Sequence, residues 1–125
     1  MLAYGARPAN AGMSLSASRQ AIETALAPAV ELYESRERGE GFEVTATQKT
    51  LDDAKWQLSE LRGKVDPQAK AMLSAAEDAL EACRIYLSLT NTGTSIGRQR
   101  REEWEAALEK METEQARLKT GESSQ

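Results

Sequence analysis

The chain has 125 residues, the length of one domain, which leaves no room for a second enzyme-sized lobe. Of its apolar residues 20 are alanine and 13 leucine, while valine and isoleucine together number six, so helix is favoured over sheet. No histidine is present, which excludes His-based triads and nearly every zinc or non-haem iron site, and a net charge of −4 disfavours a whole-body binder of nucleic acid or anionic membrane.

Residues 1–13, rich in Ala, Gly and Pro without a period, read as a flexible N-terminal arm. Ala9-Asn10-Ala11 before Gly12 resembles a small-residue cleavage site, but no apolar or basic region precedes it, so the segment does not read as a signal peptide. Ser14 or Ser16 caps a first helix running to about Arg38, where Gly39 and Gly41 end it. Its apolar stripe is Leu15, Ile22, Leu26, Ala29 or Val30, and Tyr33. Pro28 lies inside this run and has no N–H to give Thr24, which predicts a kink or a break.

The stretch from Gly39 to Thr50 alternates weakly at Phe42 and Val44, and Thr45 to Gln48 has capping-box spacing, with Thr50 a further cap. A second helix then carries Leu51, Ala54, Leu58 and Leu61 on one face and ends at Gly63. Asp66-Pro67 is the clearest start signal in the chain, an N-cap acid followed by proline at the first helical position. The third helix runs from Pro67 to about Thr90. Ala69, Leu73, Ala76, Leu80, Cys83 and Leu87 repeat along it, and Met72, Ala75, Ala79, Ala82, Ile85, Tyr86 and Leu89 widen its apolar surface. A helix this apolar is central, touched from several sides. After the loop Asn91 to Ser95, a fourth helix aligns Trp104, Ala107, Leu108, Met111 and Leu118 and runs to about Lys119. Four helices with short connections predict an all-α antiparallel bundle over residues 14–119, its second and third helices paired as a hairpin, followed by a flexible tail at 120–125.

No catalytic, cofactor-binding or metal-ligating constellation emerges. Cys83 sits on the third helix's leucine repeat and reads as a small core residue. The pairs Asp52/Asp53, Glu77/Asp78 and Glu102/Glu103 are adjacent along helices, so their members do not face each other, and they read as solvated surface. Two features point to binding. Thr92 to Gly97, followed by Arg98, Arg100 and Arg101, sets glycines, hydroxyls and arginines at a helix start, a composition suited to an anion. Arginines there oppose the helix dipole unless something acidic compensates. Trp56 is the other. Taking Leu51 as reference, Leu58, Leu61 and Val65 fall within about 80° of it around the helix, and Trp56 about 140° away. The tryptophan is either covered by the arm or by Phe42–Val44, or it is a partner-facing anchor joined by Tyr4, Phe42 or Val44.

These observations favour a non-enzymatic helical protein-interaction module, without cofactor or metal: an adaptor, an assembly factor or the soluble body of a bacterial envelope protein. A homo-oligomer is one form such an interaction takes. The alternative is an anion- or nucleic-acid-associated regulator using Arg98, Arg100 and Arg101. A single cysteine suits the cytoplasm, with an exported mature domain as the alternative compartment. No stretch is long and apolar enough to span a bilayer.

Overall fold

The computed structural model describes residues 12–40 and 43–123. Four α-helices and one 3-10 turn account for most of them, and no strand occurs among the described residues: α1 (Leu15–Glu37), α2 (Val44–Leu61), the 3-10 turn Pro67–Ala69, α3 (Lys70–Leu87) and α4 (Ser95–Ser123).

Each start has a local cause. Ser14 caps α1, its Oγ accepting from the Ala17 N–H at 3.1 Å. The helix continues in one run through Pro28, so the proline does not break it. Helix α2 begins at Val44, earlier than the Thr45 and Thr50 caps predict, because the Glu43 carboxylate accepts from the N–H groups of Thr45 and Ala46. Val44 therefore belongs to a first helical turn and not to an extended segment. Asp66 accepts from the Gln68 N–H at 2.8 Å as expected, but the first turn after it is 3-10, and α3 proper starts at Lys70. Thr94 caps α4, accepting from the Gly97 N–H at 3.0 Å. Gly97 packs so closely that a Cβ there would lie 2.2 Å from the Thr92 carbonyl oxygen. Helix α4 extends to Ser123, past Lys119, so only residues 124–125 of the expected tail lie outside the described residues, with 1–11 of the expected arm.

Long-range hydrogen bonds give the topology. The Met13 N–H donates to the Lys64 carbonyl at 2.8 Å, setting the start of α1 beside the end of α2. Gly12 makes this approach possible: its φ of 79° lies in the left-handed region that favours glycine, and a Cβ would meet the Lys64 oxygen at 2.3 Å. Arg36, near the end of α1, donates to the carbonyls of Leu87 and Leu89 at the end of α3, at 2.7 and 2.6 Å. Arg117, late in α4, donates to the Gln68 carbonyl before α3, at 3.2 Å. The order is thus up, down, up, down.

The bundle is not square. Helices α1 and α3 pack on each other, α2 and α4 flank that pair on opposite sides, and α3 touches all three others, as its apolar width predicts. Small residues allow the close central packing: Ala25 and Ala29 of α1 and Ala75, Ala76 and Ala79 of α3 are buried, and the Cys83 thiol lies 3.6 Å from the Ala29 carbonyl oxygen. Buried Ser18 ties α1 to the α2–α3 turn, accepting from the Asp66 N–H at 2.8 Å. At the other end Tyr33, Tyr86 and Trp104 form a cluster across α1, α3 and α4, with Tyr33 ring centroids 5.7 and 5.6 Å from the other two. No helix among the described residues is long and apolar enough to cross a membrane.

Candidate functional site

Helix α2 buries Leu51, Ala54 and Leu58 against the bundle, and Trp56 projects elsewhere: it is 64% exposed. Its angular offset from the leucine stripe is the reason, since a side chain on that bearing misses α3 and faces the outer side of α1. There it forms one wall of an open groove of about 530 Å³ between α1 and α2. Ala17, Ala21 and Thr24 of α1, spaced one turn apart, line the opposite side. Leu61 adds apolar surface, and a wide Lys64–Glu60 ion pair, 3.9 Å apart, marks the end of the groove near the Met13–Lys64 bond. The groove is shallow and floored by small side chains.

Of the other residues expected beside Trp56, only Val44 is among the described residues. Tyr4 and Phe42 lie outside the described residues. Val44, 59% exposed, lines a different cavity, also about 530 Å³, between α2 and α3 with Leu51, Leu87, Leu89, Arg36 and Arg84. Twelve residues along α2 is more than three turns, so Val44 and Trp56 are about 18 Å apart along the axis and on different faces.

The arginines at the start of α4 diverge. Arg100 pairs with Glu103 at 2.9 Å. Arg101 turns inward, donating to the Tyr86 hydroxyl at 3.1 Å and lying 3.4 Å from Glu37 of α1, while its guanidinium stands over the Tyr86 ring. Arg98 is exposed. Neither Arg98–Glu102 nor Arg101–Glu105, the pairs that helical spacing suggests, forms among the described residues; Glu105 instead accepts from the Tyr33 hydroxyl at 2.9 Å. Burial, with Glu105 close by, holds that phenol protonated well above its usual range. The acid that compensates an arginine in the first turns of α4 is therefore Glu37, and the donor amide of Gly97 is already taken by Thr94. The loop and the three side chains do not converge on one point.

Cys83 is fully buried, and burial pushes its thiol up to about 12, so no thiolate forms at neutral pH. The acidic pairs are spread over the surface with local partners: Asp53 with Lys49, Glu77 with Arg62, Glu103 with Arg100. Among the described residues no group of three or more His, Cys, Asp or Glu side chains could hold a metal ion. Two features escaped the sequence reading. Arg36, legible only as a cation in the last turn of its helix, clamps the end of α3. The seam between α1 and α4 opens into a third groove, of about 320 Å³, floored by Leu26, Val30, Leu108 and Met111. Its signal is the absence of Lys and Arg from residues 20–35, which has meaning only once α4 is laid alongside. Set beside protein-family models, curated proteins and solved structures, the chain matches none of them.

Proposed function

We propose that the protein is a non-catalytic helical interaction module, an adaptor or assembly factor, that receives a helix of a protein partner in the groove between α1 and α2. The observation that carries this reading is the exposed Trp56 standing over a floor of small residues. A tryptophan offers a large apolar surface at low entropic cost and is enriched where binding energy concentrates. Opposite it, Ala17, Ala21 and Thr24 let the backbone of an incoming helix approach closely, as the buried alanines do between α1 and α3. The combination is an aromatic knob beside a shallow trough. The cytoplasm is the proposed compartment, supported by one buried, unpaired cysteine.

The test separates a partner anchor from a core residue. Trp56→Ala is expected to change the stability of the isolated protein by less than about 1 kcal/mol, as exposed substitutions do. A photo-crosslinking residue placed at Gln57, the adjacent groove position, is expected to give a discrete heavier adduct in the cells that make the protein. That adduct disappears when Trp56→Ala is added. An adduct of twice the chain mass identifies a second copy as the partner. No adduct, or one unaffected by the substitution, overturns the reading.

A further inference from the structure

We propose that the groove between α1 and α4 is a second docking surface, and that its occupant is a basic amphipathic helix of a protein partner. The floor is apolar: Leu26 and Met111 are buried beneath it, and Val30 and Leu108 are half-buried along it. What selects the occupant is the rim. Glu23 and Glu31 stand on the α1 side and Glu112 on the α4 side, and no Lys or Arg lines the groove. Arg19 bridges Glu23 from one end, but among the described residues no cation bridges Glu31 or Glu112. Helix α1 has no basic residue from 20 to 35, and α4 has only Lys110 from 102 to 116. Lys110 lies about 200° around the helix from Leu108, so it faces away.

Acidic residues alone would be an ordinary solvated surface. Here they flank a strip of unfilled apolar surface on both sides, and that pairing defines a complement. A helix bearing an apolar stripe fills the floor, and lysines or arginines on either side of its stripe meet Glu31 on the α1 side and Glu112 on the α4 side. The direction of the groove fits a helix, because it runs between two antiparallel helices. Its length suits a short helical contact: Glu23 to Glu31 on α1 spans roughly 12 Å, a little over two turns. An acidic or purely apolar helix would leave Glu31 and Glu112 without a cation. The site is distinct from the Trp56 groove, which lies on the other side of α1 and carries one cation and one carboxylate at its edge.

The probe is a fluorescent synthetic helix of about 18 residues, with leucines at spacings of three and four and lysines flanking them, titrated by anisotropy at about 0.15 M salt. The parent protein is expected to bind it, and a peptide with glutamate in place of each lysine is not bound. Glu31→Lys/Glu112→Lys weakens binding at least about tenfold, and the milder Glu31→Gln/Glu112→Gln about threefold or more, which serves if the reversal disturbs folding. Asp52→Lys/Asp53→Lys, on α2, changes net charge as much as the first reversal and leaves binding within about twofold. Trp56→Ala leaves it unchanged, so this proposal and the Trp56 reading fail separately. Absence of binding by the parent, or equal weakening by the α2 reversal, overturns the assignment.

Discussion

Replacing Trp104 by alanine is expected to destabilise the protein by about 3–5 kcal/mol in urea denaturation, the usual cost of deleting a fully packed large aromatic. Trp104 is fully buried near the start of α4, tilted against Tyr33 of α1. Its removal opens a cavity beneath three helices at once, in a domain whose whole stability is of order 5–15 kcal/mol. Phenylalanine behaves differently. The indole Nε1 is buried and finds no acceptor among the described residues. An unpaired buried donor carries a desolvation penalty of about 1–3 kcal/mol, so Trp104→Phe recovers part of what its smaller ring loses. The expected order is parent, then Phe within about 2 kcal/mol, then Ala far below. An Ala variant losing under about 1 kcal/mol would place the ring at a surface.

The second large effect belongs to Arg36. Its guanidinium donates to the carbonyls of Leu87 and Leu89, acceptors that the end of α3 leaves without helical partners, and it also lies near the Tyr86 ring, 6.0 Å from the centroid. Two charge-assisted bonds in partly buried positions make Arg36→Met cost about 2–4 kcal/mol, though methionine keeps most of the apolar stem. Arg36→Lys restores the charge but not the fork that reaches two oxygens, so it recovers only part of the loss. Because both bonds join α1 to α3, amide exchange at the end of α3 should accelerate more than exchange at its start. A uniform increase along α3 would show that the clamp is global and not local.

Periodicity carried the helices well because their stripes are long: Leu51, Ala54 and Leu58 on α2 and the repeat from Ala69 to Leu87 are buried as read. The start of α2 was misread because glutamate is not among the usual capping residues, whereas Glu43 caps with its carboxylate and pulls Val44 into the helix. Pro28 promised a kink or a break, and α1 runs through it unbroken, since a long helix packed against three others outweighs one missing bond. At the candidate site the bearing of Trp56 was legible as an angle, but its groove was not, because the facing wall comes from α1. Arg101 shows the same limit: helical spacing offered Glu105 as partner, and the fold supplies Glu37 instead, 64 positions away. Contacts within an element follow from spacing, while contacts between elements wait on the packing.

The proposed partner-facing surface depends most on one physical condition, that Trp56 meets solvent while Trp104 does not. The chain has only these two tryptophans, so each can be read alone. Acrylamide quenching of the Trp104→Phe protein isolates Trp56, and its native-state quenching is expected to approach that of a free indole, with an emission maximum typical of water. In the Trp56→Phe protein, Trp104 should be shielded until denaturant unfolds the chain. A Trp56 that is shielded and blue-shifted in the native, isolated protein would mean that something within the chain already covers it, and would contradict the interaction surface.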